Sequence, residues 1–179
     1  VSKTAVVVLA FLSLTLFTTT SKAQLIPSGN VYVGGSYADS EDVVNRLAFR
    51  GGEASFEDIP FPRFSHIGVV LDVSALFTRG VEGSGTVQQY MALLGPRYSR
   101  TYGKWRPFVQ VMGGVQRSES GGMTHDIGVE DVGGGVDRKF QFLFLKSFSW
   151  RLQFDYTHTH LLSATQNDFR GSTGLVWRF

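Results

Sequence analysis

A period of two runs through most of this chain, and it narrows the fold more than any other feature. In the last eleven residues Phe169, Gly171, Thr173, Leu175, Trp177 and Phe179 fall on one face, while Arg170, Ser172, Gly174, Val176 and Arg178 fall on the other. The same split separates Trp150, Leu152, Phe154 and Tyr156 from Arg151, Gln153, Asp155 and Thr157, and Ile67, Val69, Leu71 and Val73 from Gly68, Val70, Asp72 and Ser74. Successive side chains of a strand point to opposite sides, so alternation over about ten residues reads as a strand with one apolar and one polar face. Eight such segments are expected, over 30 to 39, 49 to 59, 65 to 77, 87 to 98, 107 to 117, 129 to 143, 149 to 159 and 169 to 179. An even number of antiparallel strands closes a sheet with both of its ends on one side.

Two kinds of break separate the segments. Those at Pro60 to Phe64, Ser99 to Arg106 and Phe144 to Phe148 are short and aromatic, whereas those at Ser40 to Ala48, Thr78 to Thr86, Ser118 to Gly128 and His160 to Asp168 are longer and polar. Short turns on one side and long loops on the other is the arrangement of an outer-membrane barrel. No run of 18 apolar residues and no sustained helical periodicity occurs, which excludes a bundle of membrane helices.

The first 23 residues read as an address. Lys3 is followed by an apolar stretch from Ala5 to Phe17 and a polar tail ending at Ala23, the layout of a secretory signal peptide cleaved before Gln24. As a helix the apolar stretch would rise only about 20 Å against a hydrocarbon core of about 30 Å, too short for an anchor. The expected domains are therefore a signal peptide over 1–23 and one barrel domain over 24–179. With Lys3 and Lys22 set aside, fifteen basic residues face fifteen acidic ones, so nothing calls for nucleic acid. The chain has no Cys, which removes disulfides, Cys-ligated metals and thiol nucleophiles.

Alternation does not say which face is inside. Phe61, Phe64, Tyr102, Trp105, Phe108, Phe140, Phe142, Phe144, Phe148, Trp150, Trp177 and Phe179 gather at strand ends and short turns, where an interfacial girdle would lie. The reading is thus an all-β fold, an eight-stranded antiparallel transmembrane β-barrel with its apolar face outward. Glu53, Asp72, Arg97, Asp137, Arg151, Asp155, Arg170 and Arg178 then point into a narrow lumen, where isolated charges are costly and must pair. A structural polar core is the main reading of these residues, and a narrow pore the alternative. Gly34, Gly35, Gly68, Gly95, Gly113, Gly114, Gly133, Gly134, Gly135, Gly171 and Gly174 are expected to relieve crowding and let the sheet curve.

The run from Gln166 to Phe179, together with Leu94-Gly95-Pro96-Arg97-Tyr98 and Gly133-Gly134-Gly135-Val136-Asp137, resembles the OmpA-like eight-stranded outer-membrane β-barrel family, in a form common among soil bacteria such as Acidobacteria. The resemblance covers nearly all of residues 24–179. It implies residence in the bacterial outer membrane among its lipids, and recognition by the barrel assembly machinery through Phe179 with its alternate partners Trp177 and Leu175. Longer members of that family carry a peptidoglycan-binding domain after the barrel. The sequence here ends at Phe179, so no cell-wall tether is expected.

Enzymatic membrane barrels set a rival expectation. His158 and His160 share a face, and Ser163 follows, so a lipid A deacylase-like hydrolase would use a histidine-activated serine with Asp155 or Asp168 in support. Leu161 and Leu162 break the expected close spacing of His and Ser. The same histidines, with His125 or Asp126, are a weak metal pattern. No catalysis, cofactor or metal is expected. A structural or surface-binding role is, with any ligand met by Asp39 to Arg46, Arg79 to Gly85, Glu119 to Asp126 and Ser163 to Asp168, because loops on a rigid scaffold carry recognition.

Overall fold

The computed structural model describes residues 29–41, 46–59, 65–79, 86–120, 123–140, 147–161 and 164–179. The segment read as a signal peptide lies outside them. Eight strands follow in order: β1 (Gly29–Glu41), β2 (Arg46–Asp58), β3 (Ile67–Arg79), β4 (Thr86–Ser99), β5 (Trp105–Ser120), β6 (Met123–Lys139), β7 (Phe148–Leu161) and β8 (Ala164–Arg178). Each pairs antiparallel with the next and β8 pairs with β1, which closes the sheet. Closure leaves no strand edge, the condition a sheet must meet to stand in hydrocarbon.

The stagger follows from the register. Directly opposed residues lead from Val109 to Gly134, Phe154, Gly171, Tyr37, Arg50, Phe77 and Gln88, and return to β5 at Glu119, ten residues along. That stagger in eight strands corresponds to a tilt of about 40°. We call the end where β1 starts and β8 finishes the basal end, and the opposite end distal. A 13-residue strand such as β1 then rises about 33 Å along the axis, more than an apolar band of about 25 Å. β5 and β6, with 16 and 17 residues, therefore project beyond that band at the distal end, carrying Arg117, Glu119, Asp126 and Glu130 on their outer face.

Side-chain direction obeys the period of two. Val33, Leu71, Val73, Leu94, Val109, Val111, Phe154 and Leu175 face outward and exposed, while Asp72, Arg97, Asp137 and Gln153 face inward at 0% exposure. The fold is inside out relative to a water-soluble barrel, and its outer wall suits lipid. Aromatic rings rim both edges of the apolar band. Phe56, Trp177, Phe179, Tyr98, Trp105 and Trp150 stand near the basal end, and Tyr37, Phe77, Tyr90, Tyr156 and Phe169 toward the distal one. Phe77 meets Tyr90 edge-on, and Tyr156 packs on Phe169 at 5.1 Å.

Several sequence expectations need correction. The contrast of short turns and long loops is reversed in the connections: at the distal end they span only 42–45, 80–85, 121–122 and 162–163, and at the basal end 59–66, 100–104 and 140–147. Most of Glu119 to Asp126 and Ser163 to Asp168 is strand, as is Asp39 to Glu41. Above the apolar band both faces meet water, so the polarity contrast vanishes from the sequence while the hydrogen-bonded ladder continues. The segment expected over 129 to 143 starts earlier and ends at Lys139. Phe108 leaves the expected girdle: it shares the parity of Arg106 and Gln110 and is buried inside. Phe61, Phe64, Phe142 and Phe144 lie outside the described residues.

The glycines fall into two groups. A Cβ at Gly51 would run into the carbonyl of Ala75, and one at Gly174 into that of Val33, so these inward positions accept no side chain. At Gly35 and Gly113, which face outward, the nearest atom would stand 3.9 Å away, and crowding does not explain them. Gly103, with φ of 60°, turns the tight β4–β5 connection closed by hydrogen bonds between Tyr102 and Trp105.

Candidate functional site

The lumen is stacked in layers whose order follows from strand position. At the basal end Glu57, Arg97, Arg106, Asp137, Arg151 and Arg178 converge, each near the basal terminus of its strand. Asp137 accepts from Arg151 Nε at 2.7 Å and Nη2 at 3.1 Å, and from Arg178 Nη2 at 3.0 Å. Glu57 accepts from Arg106 Nη2 at 2.8 Å, Arg97 Nη1 at 3.2 Å and Asn30 Nδ2 at 2.8 Å. The buried ring of Phe108 lies 4.3 Å from the Arg97 guanidinium and 4.6 Å from that of Arg151, supporting both by cation–π contact.

One step distal, Arg170 stands among four carboxylates. Its guanidinium is 3.1 Å from Asp155, 3.5 Å from Asp72, and 3.9 Å from both Glu53 and Asp131, and Nη1 also donates to Ser74 Oγ at 3.2 Å. Neither oxygen of Asp72 accepts a hydrogen bond, and Asp131 Oδ1 accepts none. One glutamine, Gln110, ties the layers, and a second, Gln153, links two carboxylates within the central one. Gln110 accepts from Arg97 Nε at 2.9 Å and donates to Asp155 at 2.9 Å, and Gln153 donates to Asp155 and to Glu53.

Distal to these charges the lumen is mixed, with an apolar cluster on the β1–β4 side and the buried polar side chains of Thr78, Gln89, Gln116, Thr159 and Asp168 around it. Ala38, Phe49, Leu76 and Met91 form one buried cluster, backed by Val87, distal to Glu53 and Asp72, and Val70, Leu93, Met112 and Val129 form a second along β3–β6 that starts at Val70, basal to Asp72. The charges are thus buried beside apolar clusters, where a lone ion would be costly and a paired one is held in place.

All eight charged residues read from the sequence as lumenal face inward, divided between the two layers: Arg97, Asp137, Arg151 and Arg178 basal, Glu53, Asp72, Asp155 and Arg170 central. Sequence reasoning missed Glu57, Arg106 and Asp131. Their signal was parity: Glu57 with Glu53, Arg106 with Gln110, and Asp131 with Asp137. Leu175, Trp177 and Phe179 stand exposed on the outer wall.

Among the described residues weighed for catalysis, the histidine and the carboxylates are not gathered together. Asp155 is buried in the lumen and Asp168 also faces inward, whereas His158 lies on the outer face, directly between Glu130 and Asn167, with its ring Nδ1 at 2.7 Å from Asn167 Oδ1. The barrel wall separates the histidine from both carboxylates proposed to support it. Ser163 and the His160 side chain lie outside what is described. His125 sits on β6 opposite Ser118, and Asp126 is engaged by Arg117 through Nε at 2.7 Å and Nη2 at 2.8 Å. Among the described residues no group of acidic and histidine side chains could hold a metal ion.

No family model and no curated protein matches the chain. Solved structures do. Neisserial surface protein A is similar with a TM-score of 0.68 at 11% identity, over 84% of this chain and 97% of that one. Ail, the attachment invasion locus protein of Yersinia pestis, in complex with the heparin analogue sucrose octasulfate, gives 0.61 at 12%, over 87% and 100%. The outer membrane enzyme PagL gives 0.54 at 12%, over 83% and 98%. These identities speak to architecture, and on that evidence the fold of this chain is that of the eight-stranded outer-membrane β-barrels.

Proposed function

We propose that this chain is an integral protein of the bacterial outer membrane with a structural or surface-binding role, exported by its first 23 residues and inserted with the basal end toward the periplasm. The observation that carries this reading is the inverted barrel: a lipid-suited apolar belt around a lumen packed with paired charges. No catalysis forms part of it, and a lumen filled by fully buried side chains such as Arg97, Arg151, Arg170 and Gln153 argues against a pore. The hairpins projecting past the belt, with Arg117, Asp126 and Glu130 exposed, are where a surface ligand would meet the protein. Leu175, Trp177 and Phe179, alternating along the outer face of β8, are the positions for recognition by the barrel assembly machinery.

The test is gel mobility of the refolded chain in detergent, with and without boiling. A closed barrel resists cold detergent sample buffer and migrates as a compact species until heated. Unchanged mobility from a chain that stays soluble without detergent would overturn the reading in favour of a water-soluble barrel.

A further inference from the structure

The two ends of the lumen differ in charge and in closure. The basal layer holds four guanidiniums, of Arg97, Arg106, Arg151 and Arg178, against the carboxylates of Glu57 and Asp137. The central layer reverses the balance, with four carboxylates around Arg170. Lumen charge is therefore a fixed dipole whose negative part lies mid-barrel and whose positive part faces the basal mouth.

That mouth contains a cavity of about 200 Å³ lined by Arg106, Arg178, Asn30, Ser65 and Thr101, with Phe179 at its edge. Arg178 lends Nη2 to Asp137, and about one-fifth of its side chain stays exposed at the mouth. Arg100, Lys104, Arg138 and Lys139 are exposed around the same end, where Asp58 is the acidic side chain of the described rim. A partly exposed guanidinium, hydroxyl groups and a surplus of positive charge lining a small cavity suit a compact anion with several acceptor oxygens.

We infer that the basal mouth is an oxyanion site that takes a phosphate group, with Arg178 as its principal donor and Arg106 setting the field behind it. Free phosphate and the headgroup of a phospholipid offer the same chemistry. The site is too far from the distal surface to share a ligand with it.

The test uses the full barrel refolded in a phosphate-free maltoside detergent and titrated calorimetrically at constant ionic strength, first with inorganic phosphate, then with a short-chain phosphatidylglycerol. Saturable binding is expected, weakened by about tenfold in Arg178→Gln and largely kept in Arg178→Lys. Heat-dependent gel mobility establishes that each variant is folded. Binding of inorganic phosphate alone identifies the free ion as the source, and tighter binding of the lipid that displaces phosphate identifies the headgroup. No binding in either arm, binding equally well competed by chloride, or equal affinity in Arg178→Gln overturns the site while leaving the membrane barrel intact.

Discussion

The basal and central layers of the lumen use the same chemistry with different quality. In the basal layer Asp137 and Glu57 each accept from more than one guanidinium at short range, and the extra cations stack on Phe108 or donate to Gln110 and Ser99. In the central layer one guanidinium serves four carboxylates, two of them at 3.9 Å, and Asp72 accepts nothing. Redundant pairing makes a layer tolerant of losing one member, whereas a single shared partner concentrates the stability of the layer in one residue.

Arg170→Gln is expected to have the largest effect, because it strips four buried carboxylates of their cation. Removal of a buried partner costs about 3–5 kcal/mol, read as a lower urea midpoint of the refolded barrel. Arg178→Gln, by contrast, leaves Asp137 bonded to Arg151 and is expected to cost under about 1 kcal/mol. Equal losses in the two variants would erase the contrast between the layers.

Asp72→Asn sharpens the comparison from the opposite direction. The change removes one surplus negative charge and no hydrogen bond, so stability should hold or rise by about 1 kcal/mol. A clear loss in the same unfolding assay would mean that Asp72 is needed as an anion by Arg170.

The smallest effect belongs to the exposed Arg117–Asp126 pair, above the apolar band. Hydrogen bonds from Arg117 hold the Asp126 carboxyl below its ordinary range. Its contribution is therefore present above the ordinary carboxylate pKa and lost as pH falls through the lowered value. Unfolding curves of the native chain and Arg117→Ala should converge in acid, with only a small gap at neutral pH because water screens the pair. A gap that widened on acidification would contradict this sign.

Residues such as Trp150 to Thr157 displayed their facing in the sequence because each alternate side chain meets a different medium, lipid or lumen. Where the media are alike, as along Glu119 to Asp126, the strands were illegible. Candidate chemistry was legible to the same extent: parity placed Arg151 and Asp155 on one face, but His158 and Asp155, three residues apart, stand on opposite sides of the wall.

By itself the sequence determined an eight-strand count, the polarity of each face, and the presence of both signs of charge inside, since period-two alternation is a local property of the chain. Closure, the ten-residue stagger and the sorting of charges into a cationic mouth and an acidic middle were decided by the tertiary structure. Those depend on which residue of one strand stands opposite which residue of the next. Glu57 meets Arg106, 49 positions away, because strand register brings them to one level, and no local pattern in the chain encodes that height.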